Sequence, residues 1–266
     1  MSTIALTPLD LALAANLLAI NAAISWGFGL RLERSIALAA ARMVVQLALI
    51  GLVLKFIFAQ TSPVWTLALV LVMAAAAGVE VVTRQHRRLK GWQALGLSSA
   101  TLLFIGVAIT SLGVGVIIGP EPWYAPRYVL PILGMVLGNA MTAMTLVLNT
   151  FCETLVRERA AIEARLALGA ERREAVSGAL RTSLRTGMTP ILNSMATTGI
   201  VALPGMMTGQ ILAGADPLEA VKYQILIMFL IAAATALAAF FGGLGAMLLL
   251  TDKRHRLRLE RLAAAA

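Results

Sequence analysis

The chain has 266 residues, of which 59% are apolar and only 13% charged, about half the charged share of a soluble globular domain. Its 22 Lys and Arg against 13 Asp and Glu give a formal net charge of +9, and one Cys with two His exclude an intrachain disulfide framework and leave little for a zinc-type site. A freely soluble fold is excluded, and a single all-α, polytopic membrane domain is expected over residues 1–266.

A helix needs about 20 apolar residues to cross about 30 Å of hydrocarbon. Seven windows meet that length: 11–30, 36–58, 64–82, 94–118, 129–151, 189–212 and 220–250. Lipid offers no partner for a backbone N–H or C=O, so these windows are expected as helices. The last exceeds the minimum and should tilt or project.

The connections set the orientation. Arg31 and Arg34 follow the first window, Arg84, Arg87, Arg88 and Lys90 the third, and Arg157, Arg159, Arg165, Arg172, Arg173, Arg181 and Arg185 the fifth. Lys253, Arg254, Arg256, Arg258 and Arg261 follow the seventh, so 18 of 22 basic residues fall in alternate connections. By the positive-inside rule those connections are cytoplasmic, with the N-terminus outside and the C-terminus inside. The first ten residues hold no Lys or Arg, unlike a signal peptide's basic opening, so the first window is expected to stay in the protein.

The second and third windows each carry a charge. Arg42 lies about two turns into the second, near Gln46, and Glu80 about one turn from the end of the third. An ionisable group at mid-bilayer costs about 2.5–3.5 kcal/mol on insertion scales. These two should snorkel to the cytoplasmic headgroups, pair with each other or line a vestibule.

The fifth window holds Gly134 and Gly138, and the sixth Gly205 and Gly209, two small-residue pairs at the spacing that lets helices approach closely. Asn139, Thr142, Asn193, Ser194, Thr197 and Thr198 should face protein or a water-filled path, because lipid cannot satisfy them. Pro204 is expected to interrupt the sixth helix and free a carbonyl near Ile200. The break, with Met206, Met207 and Gln210 beside it, is expected to border a translocation route. Seven of the twelve methionines lie between Met135 and Met207. Thioethers suit soft cations, whereas iron and aluminium prefer oxygen or imidazole, so this cluster is read as packing and no metal ligand is assigned.

Between the fifth and sixth windows, residues 152–188 are polar with a helical pattern, a hairpin turning at Gly169. Glu153 with Arg157 and Arg159 with Glu163 are i,i+4 pairs. Val176, Leu180 and Leu184 recur every four residues beside Ala179, an apolar side that needs a surface to pack against. Gly169 and Gly187 are expected helix stops. The hairpin is expected either to lie on lipid headgroups through its arginines or to dock a soluble partner.

No lysine follows a glycine, so the chain has no Gly-Lys-Ser/Thr phosphate-binding loop. Energy for uphill transport comes from a partner, or the chain is a self-sufficient secondary transporter or channel. His86 and His255 form no His-Glu-x-x-His motif, and no catalytic pair is evident for an intramembrane enzyme. Nucleic-acid binding fits poorly, since the basic residues follow the spans; the terminal run from Lys253 to Arg261 should meet anionic lipid.

Certain residues carry a family likeness. Gly134-Met-Val-Leu-Gly138-Asn139-Ala140-Met141, the Leu168-Gly169-Ala170 turn, Ala202-Leu203-Pro204-Gly205-Met206-Met207-Thr208-Gly209, Asp216-Pro217 and Lys222-Tyr223-Gln224 resemble the FetB type of ABC-transporter permease. That family is associated with bacterial iron export and is similar to plant permeases linked to aluminium tolerance. The resemblance implies an inner-membrane, multi-pass permease subunit, paired as a homodimer with two separate cytoplasmic ATPases that bind the ATP, and no cofactor bound by this chain itself. Glu163, Ala164 and Gly169 match the Glu-Ala-Ala-x-x-x-Gly spacing of importer coupling segments, although Arg165 replaces the second Ala. Glu163, Ala164, Leu168, Gly169, Ala170, Arg172 and Arg173 are therefore the expected coupling residues.

Overall fold

A computed structural model describes residues 7–58, 62–252 and 256–263. They divide into two compact units, the first built on residues 1–61 with 212–214 and the second on 62–211 with 215–266. Lys253, Arg254 and His255 of the expected basic run lie outside the described residues.

The first unit holds α1 (Pro8–Gly27) and α2 (Glu33–Phe58). Thr7 caps α1 in a capping box: Asp10 N–H donates to Thr7 Oγ1 (3.4 Å) and Thr7 N–H to Asp10 Oδ2 (2.8 Å). Ser25 holds the turn into α2, accepting from Leu32 N–H (2.9 Å) and donating to Glu33 (3.1 Å).

The second unit begins with α3 (Pro63–Thr83), opened by Ser62 as N-cap and Pro63 at the first position, where its missing N–H costs nothing. Then come α4 (Trp92–Thr110), continuing as a π-helix over Ser111–Ile118, and α5 (Pro126–Arg157). Next are α6 (Arg159–Ala167), α7 (Arg172–Ala175), α8 (Ser177–Thr197), α9 (Gly205–Leu212), α10 (Pro217–Leu250) and a 3-10 turn at Leu259–Arg261. Among the described residues, six helices are long and apolar enough to span a membrane. The window at 189–212 differs from the rest: it is split between the end of α8 and the short α9.

Packing centres on α5 and α10. Ala234, Ala238, Gly242 and Ala246 recur every four residues on α10 and are buried, a small-residue stripe that lets neighbouring backbones approach. A Cβ at Gly242 would stand 2.9 Å from Met144, and one at Gly243 2.9 Å from Leu180. On α8 the stripe Ala179, Ser183, Gly187, Ile191 is buried. Gly78, Gly106, Gly113 and Gly245 make contacts as close, against Ser99, Leu137, Leu230 and Leu97, whereas Gly138, Gly205 and Gly209 have nothing within 4 Å and Gly134 meets only Met73. Gly187 does not stop a helix: α8 runs through it, because a side-chain-free position is what Val147 and Ala143 leave room for.

The connections that carry the basic residues of this unit meet at one end. Asn149 bridges the α3–α4 connection to α5, accepting from His86 N–H (3.0 Å) and donating to Arg84 O (3.3 Å). The C-terminal tail returns to that connection, with Lys90 N–H on Arg261 O (2.7 Å) and Ala263 N–H on Arg88 O (2.8 Å). Arg261 also donates to Leu249 O (2.8 Å), satisfying an end carbonyl of α10. Arg258 lies against Glu260 and holds its carboxyl below the usual carboxylate range. The described part of the basic tail thus binds protein groups.

Candidate translocation site and coupling surface

The broken helix starts earlier than its proline. α8 ends at Thr197, Gly199 takes a left-handed φ of 88°, and Pro204 immediately precedes α9. Thr197 O accepts from both Val201 N–H (3.0 Å) and Ala202 N–H (3.2 Å), while Gly199 N–H donates to Ala202 O (2.9 Å). Ile200 therefore lies in a turn between two helices, not inside one continuous helix interrupted at Pro204. Pro204 instead opens α9, with its carbonyl accepting both the N–H (3.0 Å) and Oγ1 (3.1 Å) of Thr208. Proline alone does not break a helix here, since α8 contains Pro190 and α5 contains Pro131; the left-handed glycine marks the break.

Upstream, the polar residues of α8 form one exposed stripe. Thr182, Thr186, Thr189, Asn193 and Thr197 recur three or four positions apart on the face that flanks the buried stripe, with Thr186 on its inner edge. Their hydroxyls donate four residues back, Thr186 to Thr182 O (3.0 Å), Thr189 to Arg185 O (2.9 Å) and Thr197 to Asn193 O (3.0 Å). On α5, Asn139 donates to Met135 O (2.8 Å) and Thr142 to Gly138 O (2.9 Å); Gly138, Asn139 and Thr142 are all exposed. The amide oxygens of Asn139 and Asn193 keep acceptor capacity beyond these bonds.

Met206 packs beside the buried cluster of Ile191, Ile227 and Ile231, with Met135, Met188 and Met228. Met207 instead lines a cavity of about 510 Å³ between the end of α8, the turn, α9 and α10. Gln210 Oε1 is buried without a partner. The structure thus gathers Thr197, Pro204, Met206, Met207 and Gln210 around the break and places Asn139, Thr142 and Asn193 on open faces of α5 and α8. Met195 and Met228 line the same cavity and carry no mark in the sequence; Gln224, which the sequence offered only within the Lys222-Tyr223-Gln224 likeness, lines it too. A lone Gln early in a 34-residue apolar helix was the available signal.

Glu80 is engaged by Arg84, with Nε and Nη2 each 2.9 Å from Oε1. Arg42 and Gln46 stand one turn apart on α2 and are exposed within the first unit.

The expected hairpin exists with different joints: α5 continues to Arg157, α6 and α7 flank the turn, and the second arm runs on as α8. Gly169 has φ 93°, and Ala170 N–H reaches Arg165 O (3.0 Å), closing a C-terminal cap on α6. Arg159 pairs with Glu163 (2.7 Å), whereas Arg157 reaches Glu158 (3.4 Å). Val176 and Ala179 are buried and Leu180 meets α10, so the hairpin's apolar side is covered by its own chain. Leu168, at the apex, remains 89% exposed. Arg173 is exposed and Arg172 half-buried, and Glu163, Leu166 and Ala167 line a groove of about 370 Å³ with Arg256 and Leu257.

No group of three or more His, Cys, Asp or Glu able to hold a metal ion occurs among the described residues.

Comparison with known proteins places this architecture. The family model described as "Uncharacterised protein family (UPF0014)" matches residues 8–248. The chain is 34% identical over 253 residues to the "Probable iron export permease protein FetB" of Escherichia coli, covering 95% of each. It is 37% identical over 207 residues to "UPF0014 membrane protein slr1647" of Synechocystis, covering 76% of this chain and 78% of that one. It is also 35% identical over 213 residues to "Protein ALUMINUM SENSITIVE 3" of Arabidopsis thaliana, covering 80% and 76%. No solved structure matches. A match that runs from the first helix nearly to the end of α10 makes this chain a multi-pass membrane protein of the UPF0014 family.

Proposed function

We propose that the chain is the permease subunit of an ATP-driven exporter of a metal ion such as iron, working in the bacterial inner membrane as a homodimer with separate cytoplasmic ATPases. The observation that carries the reading is the FetB relative, aligned over 95% of both chains with a name that states the transported species and direction. Two features of the geometry support it. Leu168, a large apolar side chain at the apex of a polar hairpin, is what a soluble partner's pocket would anchor. Gly138, Asn139, Thr142 and Asn193, open on α5 and α8, suit a polar path closed by a second copy better than they suit lipid. The basic ends of the helices then face the cytoplasm.

The test is co-purification with a candidate cytoplasmic ABC ATPase and measurement of its turnover. Turnover that rises with the permease supports the pairing. Ion-coupled flux from this chain alone in liposomes would instead make it a secondary transporter. Cells that lack or overproduce the pair should differ in iron accumulation; unchanged iron with a response in another solute would refute the iron assignment.

A further inference from the structure

Helices α5 and α8 lie side by side and antiparallel: Gly187 faces Val147 and Ala143, while Ile191, one turn further along α8, shares a cluster with Met135, two turns earlier on α5. One side of the pair is covered by α10, with Gly242 against Met144 of α5 and Gly243 against Leu180 and Leu184 of α8. At about 100° per residue, Asn139 and Thr142 of α5 and Thr186, Thr189, Asn193 and Thr197 of α8 all point to the other side. All are exposed except Thr186, which is half-buried. Two polar columns therefore share one face, and from Thr186 to Thr197 it runs about 16 Å, roughly half the hydrocarbon thickness. No charged side chain occurs between residues 128 and 152 or between 186 and 215. Hydrogen bonding gives this neutral face a polarity. The hydroxyl protons of Thr142, Thr186, Thr189 and Thr197 and an amide proton of Asn139 all go to backbone carbonyls four residues back. What is left for a ligand is mainly lone pairs, those of four hydroxyls and two amide oxygens. The far end of the face is the C-terminus of α8, the negative end of that helix's dipole.

We propose that this face of α5 and α8 is a hydrogen-bond-acceptor track that recognises a divalent cation with its water shell in place. Water around a cation turns its oxygen to the metal and its protons outward, so the shell donates and needs acceptors. Around an anion the shell is reversed, and lone pairs would meet lone pairs. The face thus discriminates by sign without a fixed charge, and the dipole end of α8 adds to the preference. Neutral oxygens spaced along two helices do not replace the shell of a small divalent ion, which dehydrates reluctantly and elsewhere is held by carboxylates. Contacts of this kind are weak and repeated, as passage requires if the ion is to leave again.

The inference rests on the export reading for the class of ion and deepens it by stating the form in which the ion is recognised. Membrane vesicles carrying the full chain with Thr142→Cys, Thr189→Cys or Asn193→Cys are labelled from water with a cationic trimethylammonium thiosulfonate and with an anionic sulfonate counterpart. Each rate is normalised to that of a free thiol, and the native Cys152 is buried. Every introduced cysteine is expected to react at least tenfold faster with the cationic reagent. Mn(II), a redox-stable stand-in for Fe(II), should slow the labelling at constant ionic strength. Hexaamminecobalt(III), whose ligands do not exchange and can only donate hydrogen bonds, should slow it to a similar degree. Thr186→Val added to the Thr189→Cys chain should weaken that protection at least threefold, and Thr186→Ser should restore it. Phe104→Cys, exposed on apolar α4, should show neither the preference nor the protection. A monodisperse elution profile after extraction shows that each variant folds. Equal rates for the two reagents, no labelling, or protection by Mn(II) without protection by hexaamminecobalt(III) would overturn the track, the last because it means a stripped ion. ATPase stimulation measured on the same vesicles separates the two readings. Stimulation with charge-blind labelling removes the track and keeps the permease, whereas cation-selective, protected labelling without stimulation does the reverse.

Discussion

Gly187 is the tightest joint between α5 and α8, and replacing it by Ala tests how this bundle is held. A Cβ there would stand 2.4 Å from Val147 Cγ2 and 3.0 Å from the carbonyl oxygen of Ala143, against ordinary carbon contacts of about 3.5–4.0 Å. Val147 is fully buried, and Ala143 O is helical backbone, so neither has an easy retreat. Overpacking at such a site costs up to about 3 kcal/mol. Removing a glycine from a helix interior returns about 1 kcal/mol. The expected net loss is about 2 kcal/mol, a shift of about 30-fold in the folding equilibrium. Denaturant unfolding of the purified monomer in detergent measures it, with Gly138→Ala as reference, because Gly138 sits mid-helix with nothing within 4 Å. That reference should gain up to about 1 kcal/mol. Opposite signs are expected; equal shifts, or a more stable Gly187→Ala, would refute the packing account. In a Val147→Ala background the penalty at Gly187 should shrink, leaving only the approach to Ala143 O.

Three further outcomes rest on named contacts. Leu168→Ala is expected to change the chain's own stability by under about 0.5 kcal/mol, since the side chain is exposed; ATPase affinity should fall at least about tenfold if the apex is an anchor, as read by titrating turnover. Asp216 caps α10 by accepting from Leu218 N–H (2.8 Å) and Glu219 N–H (3.2 Å), so Asp216→Ala should cost about 1 kcal/mol in thermal unfolding while Asp216→Asn costs little. Pro204→Ala should alter stability by under about 0.5 kcal/mol, because the atom that α9 uses is the carbonyl, which alanine keeps; a loss above about 2 kcal/mol would mean the ring itself holds the turn.

What could be read from the sequence, and what could not, divides along one physical line. Span length and composition report the demands of the bilayer, which act on each segment separately; the windows at 64–82, 94–118, 129–151 and 220–250 accordingly became α3, α4, α5 and α10. Local backbone signals were legible too: Gly169 takes the left-handed turn expected of it, and Asp216-Pro217 in the recognised motif is an N-cap and first turn. Contacts between helices leave no such local mark. Gly138 and Gly187 are both helical glycines, yet one faces open space and the other a buried Val, and the difference lies in where α8 is laid against α5. The same holds at the candidate site. Pro204 was the conspicuous breaker, but a proline is tolerated inside both α5 and α8, and the chain leaves helical geometry where Gly199 supplies a positive φ and Thr197 O gathers three amides. Met195, Met207 and Met228 stand 12 and 21 residues apart in sequence. Only the turn that ends α8 brings them to one cavity with Gln224, so a lining made by folding back a broken helix becomes visible only when that break is located.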